Sequence, residues 1–483
     1  MSNKTSGKMD RRRFLGAATL SSAMMCLPLA GSGQDRPATV PLDAARGPVW
    51  PLAKFKRWRD RYHTDLFDDF LPFCERYVID REYGGFMCET NPYGINTDTN
   101  KATWFQGRGA WVYAFLYNHF EKRETYLKTA RGALDILLNF KRPSMDKFLP
   151  KVFDRKGVAQ APDSNDIFGD LFLVEGLQEY AKATGDDKLW QQAKDLLFNC
   201  VRLYDRTDFV PEVTSSIYSK PGEAPANWAF NGRPVPPIIG ARYQGVWFTM
   251  LHCCSQMVEY RHDAELLALA DRCIEAVLDY HFNPRFNLTN EFINHDLSRP
   301  KNEYEGQVYL GHSIETQWMI LYEAVRRGDA KLFRRAAERF RRHVTVATDN
   351  VYGGVFRNLA NVDTNELSLD KAEWEQAETL NGSMLMIEHL GDFWAAETFD
   401  KFFNYIEDNF PVRRHGIDSP YWISFSDTRI VKFDPKGRMR FENYHHPRQL
   451  MLSLLALNRM IERGGKPGGT FFRPDEDTTG RSR

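Results

Sequence analysis

Between residues 54 and 462 the chain reads as twelve helices in succession, and they are of two kinds. The periodic segments run near 54–79, 104–121, 123–140, 166–183, 187–204, 243–260, 263–281, 312–327, 330–347, 371–390, 393–409 and 445–462. One kind is apolar on most faces, as in Trp111-Val-Tyr-Ala-Phe-Leu116 and Gln449-Leu-Met-Leu-Ser-Leu-Leu455. The other carries a charged face, as in Asp187-Lys-Leu-Trp-Gln-Gln-Ala-Lys194 and Lys331-Leu-Phe-Arg-Arg-Ala-Ala-Glu-Arg-Phe340. A helix that is apolar all round has to be covered on all sides, whereas an amphipathic one covers a core with a single stripe. The two kinds alternate in pairs. Within pairs the turns are short (Thr184-Gly-Asp186, His262-Asp263, Gly328-Asp329 and Gly391-Asp392), with Gly or a polar residue closing one helix and Asp capping the next. Six pairs of buried and half-exposed helices predict an all-α fold, an inner ring within an outer ring: an (α/α)6 barrel, or toroid of six helical hairpins. A linear solenoid is the alternative, but its helical repeats usually run about 30–47 residues. Here the Gly-Asp turns recur at longer, uneven intervals.

The two ends fall outside this pattern. Arg11, Arg12 and Arg13, followed by Phe14 and Leu15, resemble a twin-arginine export signature, and an apolar stretch from Ala17 to Ala30 leads to small residues at Ala30-Gly31-Ser32. Residues 1–33 are therefore expected to be an export signal that carries the folded chain to the periplasm, with 34–53 a linker, 54–462 the barrel domain and 463–483 a disordered tail. The apolar stretch is too short and mixed to span a bilayer, so no membrane span is expected once the signal is removed. The seven cysteines form no CxxC pair and predict neither a disulfide framework nor a zinc site. Sixty-four basic residues balance 64 acidic ones, which argues against nucleic acid as a partner. The 34 Phe, 20 Tyr and 11 Trp suit a ring-lined cleft as well as a large core. Sugars fit such clefts because their C–H faces pack on aromatic planes while their hydroxyls need polar partners.

Polar exceptions collect where the apolar helices begin. One starts Trp104-Phe-Gln-Gly-Arg-Gly-Ala-Trp111, with Gln106 and Arg108; another starts Gly311-His-Ser-Ile-Glu-Thr-Gln-Trp318, with His312 and Glu315. A third carries Trp374, Gln376 and Glu378, and the last starts Tyr444-His-His-Pro-Arg448. In a closed ring the inner helices run parallel, so these ends meet on one rim around one cup. Helix N-termini there favour negative charge. His312 and Glu315, at i and i+3, could form half of a metal site, but no second cluster with ligand spacing accompanies them, and no metal or cofactor is expected. His446 points away from the His445 side. Glu291, in Asn290-Glu-Phe292, is a weaker rim candidate, and the Pro-rich stretch from Thr207 to Ala241 is expected to shape one wall.

Four local patterns carry a resemblance over roughly residues 54–462: Trp104-Phe-Gln-Gly-Arg-Gly-Ala-Trp111, Gly311-His-x-x-Glu-x-x-Trp318, Trp374-x-x-x-Glu378 and Tyr444-His-x-Pro-Arg448. In this order they resemble the N-acylglucosamine 2-epimerase family, which includes renin-binding protein, cellobiose 2-epimerases and aldose–ketose isomerases. Many relatives have a further histidine on the third inner helix; here that helix starts Tyr243-Gln-Gly-Val-Trp-Phe-Thr-Met250. The resemblance implies proton transfer at C2 of an aldose or N-acyl-aminosugar through an enediolate. His312 and His445 form the acid–base pair, since histidine changes charge near neutrality. Arg108 would stabilise the oxyanion, and Glu315 and Glu378 would orient the histidines or bind hydroxyls. Trp318 and Trp374 would pack on the sugar face, with Trp104, Gln106, Glu291, Tyr444 and Arg448 completing the binding site. The expected partner is a small carbohydrate, with a homodimer as the candidate assembly. Three alternatives remain. An aldose–ketose isomerase would return the proton to C1. A hydrolase or lyase would use Glu315 and Glu378 across a glycosidic bond. A non-catalytic sugar-binding protein would keep the fold alone.

Overall fold

The computed structural model describes residues 51–160, 164–210, 227–436, 439–466 and 470–471. The expected export signal lies outside these residues, as do most of the linker and of the tail.

Twelve helices are found among the described residues, at the positions the periodicity marks. α1 is Leu52–His63, prolonged by wider helical turns through Cys74–Val78; α2 is Thr103–His119, α3 Glu124–Leu138 and α4 Ile167–Thr184. α5 spans Asp187–Tyr204, α6 Gln244–Tyr260, α7 Ala264–Glu275 with a last turn to His281, and α8 Leu310–Arg327. α9 is Ala330–Ala347, α10 Glu373–Leu390, α11 Phe393–Asn409 and α12 His445–Glu462. The even-numbered helices are the apolar ones. Each packs on the next even-numbered helix, and α12 returns to α2, so the inner ring closes. The odd-numbered helices lie outside, each against an inner partner. Five of the hairpins are consecutive in sequence. The sixth joins the two ends of the domain, α1 against α12.

Local chemistry sets the hairpins. Gly185, Gly328 and Gly391 take left-handed φ values of 67°, 68° and 64°, which let the chain leave one helix at once. Asp186, Asp263, Asp329 and Asp392 then cap the following helices by accepting backbone N–H groups. Short two-stranded ribbons precede alternate inner helices: Lys101–Ala102 pairs with Val152–Phe153, Arg242–Tyr243 with Phe292–Ile293, and Lys371–Ala372 with Phe425–Ser426. No helix among the described residues is long and apolar enough to cross a membrane.

Two aromatic–glycine turns are built alike. Asp80 accepts from the backbone N–H groups of Glu82 and Tyr83, and Lys101 reaches both Asp80 and the Gly84 carbonyl. Asp349 accepts from Val351 and Tyr352, and Lys371 reaches Asp349 and the Gly353 carbonyl. Gln106 and Gln376 clamp the backbone of Phe86 and Val355, while Arg155 and Arg429 close each turn with paired bonds to the aspartate. Each staple pins the start of an inner helix and, three residues past its lysine, Trp104 or Trp374.

Lys371 and Asp349 are both buried. Asp349→Ala would strand the ammonium in the core, and removing one partner of a buried pair costs about 3–5 kcal/mol. Urea denaturation should show a loss of that size. Removing Asp363, whose ion pair with Arg285 is exposed on both sides, should cost far less.

Candidate active site

The N-terminal halves of all six inner helices line one cavity of about 720 Å³. Of the residues expected on the rim, Trp104, Arg108, His312, Glu315, Trp374, Tyr444 and His445 line it. Trp228 and Phe209 supply a wall from the Pro-rich stretch, whose middle, 211–226, lies outside the described residues. The loop before α12 adds another through Tyr421, Phe425 and Phe433.

His312 and His445 are held in the same manner. Nδ1 of His312 lies 2.7 Å from Oε1 of Glu291, and Nδ1 of His445 lies 2.7 Å from Oε1 of Glu378. An ionised carboxylate only accepts, so each Nδ1 donates and each Nε2 is left for the cavity. The Trp374 ring stands beside both, with centroids 5.8 Å from His312 and 5.3 Å from His445. A Cβ on Gly311 would come within 2.6 Å of this indole, so that approach requires glycine at the residue before His312. Burial pushes the Glu291 carboxyl up, against the pull of His312. Burial also acts on Glu378, but Arg448 and His445 outweigh it and hold that carboxyl at about 2.

Arg108 differs from the other buried cations. It is nine-tenths buried and has no hydrogen bond or ion pair to the described residues. Its guanidinium lies among rings instead: 3.9 Å from the Phe172 centroid, 4.9 Å from Tyr444 and 5.2 Å from Trp104. Burial pushes its pKa down, opposed by the surrounding charges of Glu442, Tyr444, Glu315 and Glu175. A cation that keeps its donors free in a cavity can receive an anionic oxygen.

Five expected site residues lie off the cavity. Trp318 does not form a sugar platform: it is fully buried, and its indole N–H donates to Glu378. Gln106 is used up by the Phe86 backbone, and Glu291 and Glu378 stand behind the histidines. Arg448 lies beneath the floor, where one Nη2 donates to Glu315 at 2.6 Å and to Glu378 at 2.7 Å. Two carboxylates gathered on one guanidinium cannot face each other across a glycosidic bond, so the arrangement an inverting hydrolase needs is not formed. Glu315, Glu378 and His445 bring ligand atoms within 4.8 Å of one another, but Arg448 already supplies the positive charge there.

Two central residues escaped the sequence reading. Glu175 on α4 lines the cavity; it accepts from the Tyr444 hydroxyl at 2.6 Å and pairs with His252 of α6 at 2.9 Å. The third inner helix does carry a histidine, but two turns beyond its start and off the cavity. The available signal was a lone acid in Leu171-Phe-Leu-Val-Glu-Gly-Leu177 and a lone imidazole in Thr249-Met-Leu-His-Cys-Cys254, since a polar group on an all-apolar helix needs a buried partner. Glu442 was also missed. It caps α12 by accepting from the Tyr444 and His445 N–H groups; despite burial, Arg440, His445 and Arg108 hold it at about 2.

The sequence matches the family model described as N-acylglucosamine 2-epimerase (GlcNAc 2-epimerase) over residues 84–430. It is 24% identical to the N-acylglucosamine 2-epimerase of Bos taurus over 421 residues, covering 84% of this chain and 93% of that protein. The Mus musculus enzyme of the same name is 24% identical over 426 residues, with the same coverages. Among solved structures, the cellobiose 2-epimerase of Bacillus thermoamylovorans superposes with a TM-score of 0.65 at 18% identity, over 84% of this chain and all of that one.

Glu375 follows Trp374 and is fully buried, with one oxygen accepting from the Ala372 N–H and the other unpaired. Burial, against the opposition of Arg357, raises its carboxyl from 4.5 to about 8. A raised carboxyl contributes stability that is complete below its unfolded pKa and is lost as pH rises through the folded one. Thermal melting of wild type should therefore fall between about pH 5 and about pH 8 relative to Glu375→Gln, which has no proton to lose. Parallel profiles for the two proteins would contradict this.

Proposed function

We propose that this chain, which belongs to the N-acylglucosamine 2-epimerase family, inverts C2 of an aldose or N-acyl-aminosugar by moving a proton between His312 and His445. The observation that carries this reading is the matched pair of histidines. Each is anchored at Nδ1 by a buried carboxylate, both border one cavity, and Trp374 stands beside both. The C2 proton of an open-chain aldose is acidic only because the C1 carbonyl can take up the electron pair. Nε2 of one histidine removes that proton, and the C2–H electrons pass to the C1 oxygen as an enediolate. Nε2–H of the other delivers a proton to the opposite face, and the electrons return to C1=O. Glu291 and Glu378 fix the tautomers and offset the charge on whichever ring is protonated. Arg108 receives the oxyanion, and helix N-termini around the rim favour the same negative charge. The aromatic walls, Trp374 foremost, pack on the sugar face.

Export is part of this proposal. The Arg11–Arg13 run, the apolar stretch after it and the small residues at 30–32 support removal of residues 1 to about 33 and a periplasmic site of action. Intact-mass measurement on periplasmic material should find an N-terminus near residue 34; a full-length chain there would contradict cleavage.

The chemistry is tested in D2O with a panel of aldoses. Wild type should place deuterium at C2 of the product; deuterium at C1 of a ketose would identify the aldose–ketose isomerase instead. Turnover without solvent label at either carbon would exclude the enediolate route. His312→Asn and His445→Asn should each abolish epimerisation in folded protein, while each still exchanges the C2 proton of one epimer, opposite between the two. Arg108→Ala should slow both directions together by about a hundredfold or more, because the enediolate is common to both.

A further inference from the structure

His252 has the same carboxylate pairing as the two histidines above, but its other nitrogen is not free. We propose that His252 is a positioning residue, locked as the Nδ1–H tautomer with Nε2 capped from within the protein, and that it orients Arg108 and His445 through Glu175 and Tyr444.

The argument starts at an atom with no choice. The indole N–H of Trp111 can only donate, and it lies 3.0 Å from the Gln256 side chain. The Gln256 atom facing it is therefore the carbonyl oxygen, which also accepts from Gln178 at 2.7 Å. The Gln256 NH2 must then be the group 3.0 Å from Nε2 of His252. An amide nitrogen donates, so Nε2 of His252 accepts and carries no proton. The ring proton sits on Nδ1, which donates to Oε1 of Glu175 at 2.9 Å. His252 is 3% exposed and does not line the cavity, so neither solvent nor substrate competes for Nε2. His312 and His445 keep Nε2 open; His252, held by a carboxylate in the same way, does not.

The donor chain runs from Trp111 through Gln256 and His252 to Glu175, and its effect emerges on the far side of that carboxylate. Oε2 of Glu175 accepts the Tyr444 hydroxyl at 2.6 Å, and that hydroxyl oxygen accepts from Arg448 at 2.8 Å. The Tyr444 ring is thereby held at both lone pair and proton. It is one of the rings on which the Arg108 guanidinium rests, and its centroid lies 5.2 Å from that of the adjacent His445. With Nδ1–H absent, Glu175 loses a donor and the Tyr444 seat loosens beneath both groups.

The tautomer is read by long-range proton–nitrogen NMR on the full chain labelled with 15N-histidine, with His252 assigned by its absence in His252→Asn. The expected pattern is a protonated Nδ1 and a bare Nε2. Protons on both nitrogens, or on Nε2 alone, would overturn the assignment. The kinetic arm rests on the epimerase reading. A wild-type chain that turns over no aldose fails that reading alone, and the spectrum still decides the tautomer. His252→Leu, which removes the donor at similar size, should lower kcat about thirtyfold with KM within about twofold. His252→Asn, whose amide can donate to Glu175, should recover at least about tenfold of that loss. Equal losses in the two variants, or none in either, would overturn the positioning role. His252→Phe covers the case in which the leucine variant does not fold: a ring is kept and the donor to Glu175 is lost, so kcat should fall without KM moving. An unchanged kcat in that variant would overturn the role.

Discussion

Arg448 of α12 has no exposed surface, and its guanidinium reaches Glu315 of α8, Glu378 of α10 and Tyr444, the residue before its own helix. From Tyr444 the hydrogen bonds continue to Glu175 of α4 and His252 of α6, and from Gln256 of α6 to Trp111 of α2. All six inner helices thus meet in one buried polar array across the barrel axis. Such arrays stabilise only when satisfied, because a stranded charge in the core costs more than the pair contributes. That requirement fixes the register of each inner helix against the others more strictly than apolar packing does, since Leu and Phe tolerate small slides and a guanidinium shared between two carboxylates and a hydroxyl does not.

The array also determines which groups remain for a ligand. Glu315, Glu378, Glu175 and Glu442 all line or underlie the cavity, and each is already met by donors from the protein. His312 and His445 are engaged at one nitrogen only. Arg108 is engaged by ring faces only. The framework therefore leaves two imidazole nitrogens and the edge of a guanidinium unfilled, the atoms that the proposed reaction uses. Groups held this way need no rearrangement when charge develops, which makes a preorganised donor worth more in a dry site than in water.

The helices and their alternation were legible because they follow from periodicity, and the rim followed from polar residues at the starts of apolar segments. His312, His445, Arg108 and Trp374 could be placed on that rim from spacing alone. Spacing could not say which side of a fully buried helix faces the cavity. Trp318 and Arg448 lie beneath the floor because of the side of the helix they occupy: Met319, one residue beyond Trp318, lines the cavity. The roles of Gln106 and Gln376 as backbone clamps were hidden for another reason: their partners, Phe86 and Val355, lie in loops some 20 residues earlier, and no local signal links them. Glu175 and His252 were the most recoverable omission. Each interrupts an apolar run, and a buried acid and a buried imidazole on neighbouring inner helices satisfy each other.

The seating of Arg108 bears on how binding and chemistry are divided at such a site. Phe172, Tyr444 and Trp104 surround the guanidinium, which limits its freedom to follow a ligand; its N–H groups lie in its own plane, so it donates from its edge. A neutral carbonyl oxygen and an enediolate oxygen can occupy nearly the same place before that edge. They differ in charge, and charge-assisted hydrogen bonds are roughly twice as strong as neutral ones. A rigid donor therefore favours the charged state over the neutral one by more than a mobile donor would, because a mobile cation would reorganise to suit either. Interactions that strengthen only as the reaction proceeds accelerate it, whereas equal binding of both states does not. The three rings around Arg108, and behind them the Tyr444 hydroxyl held between Glu175 and Arg448, seat a buried cation without a partner at the cavity, where the proposed mechanism places the charge of its intermediate.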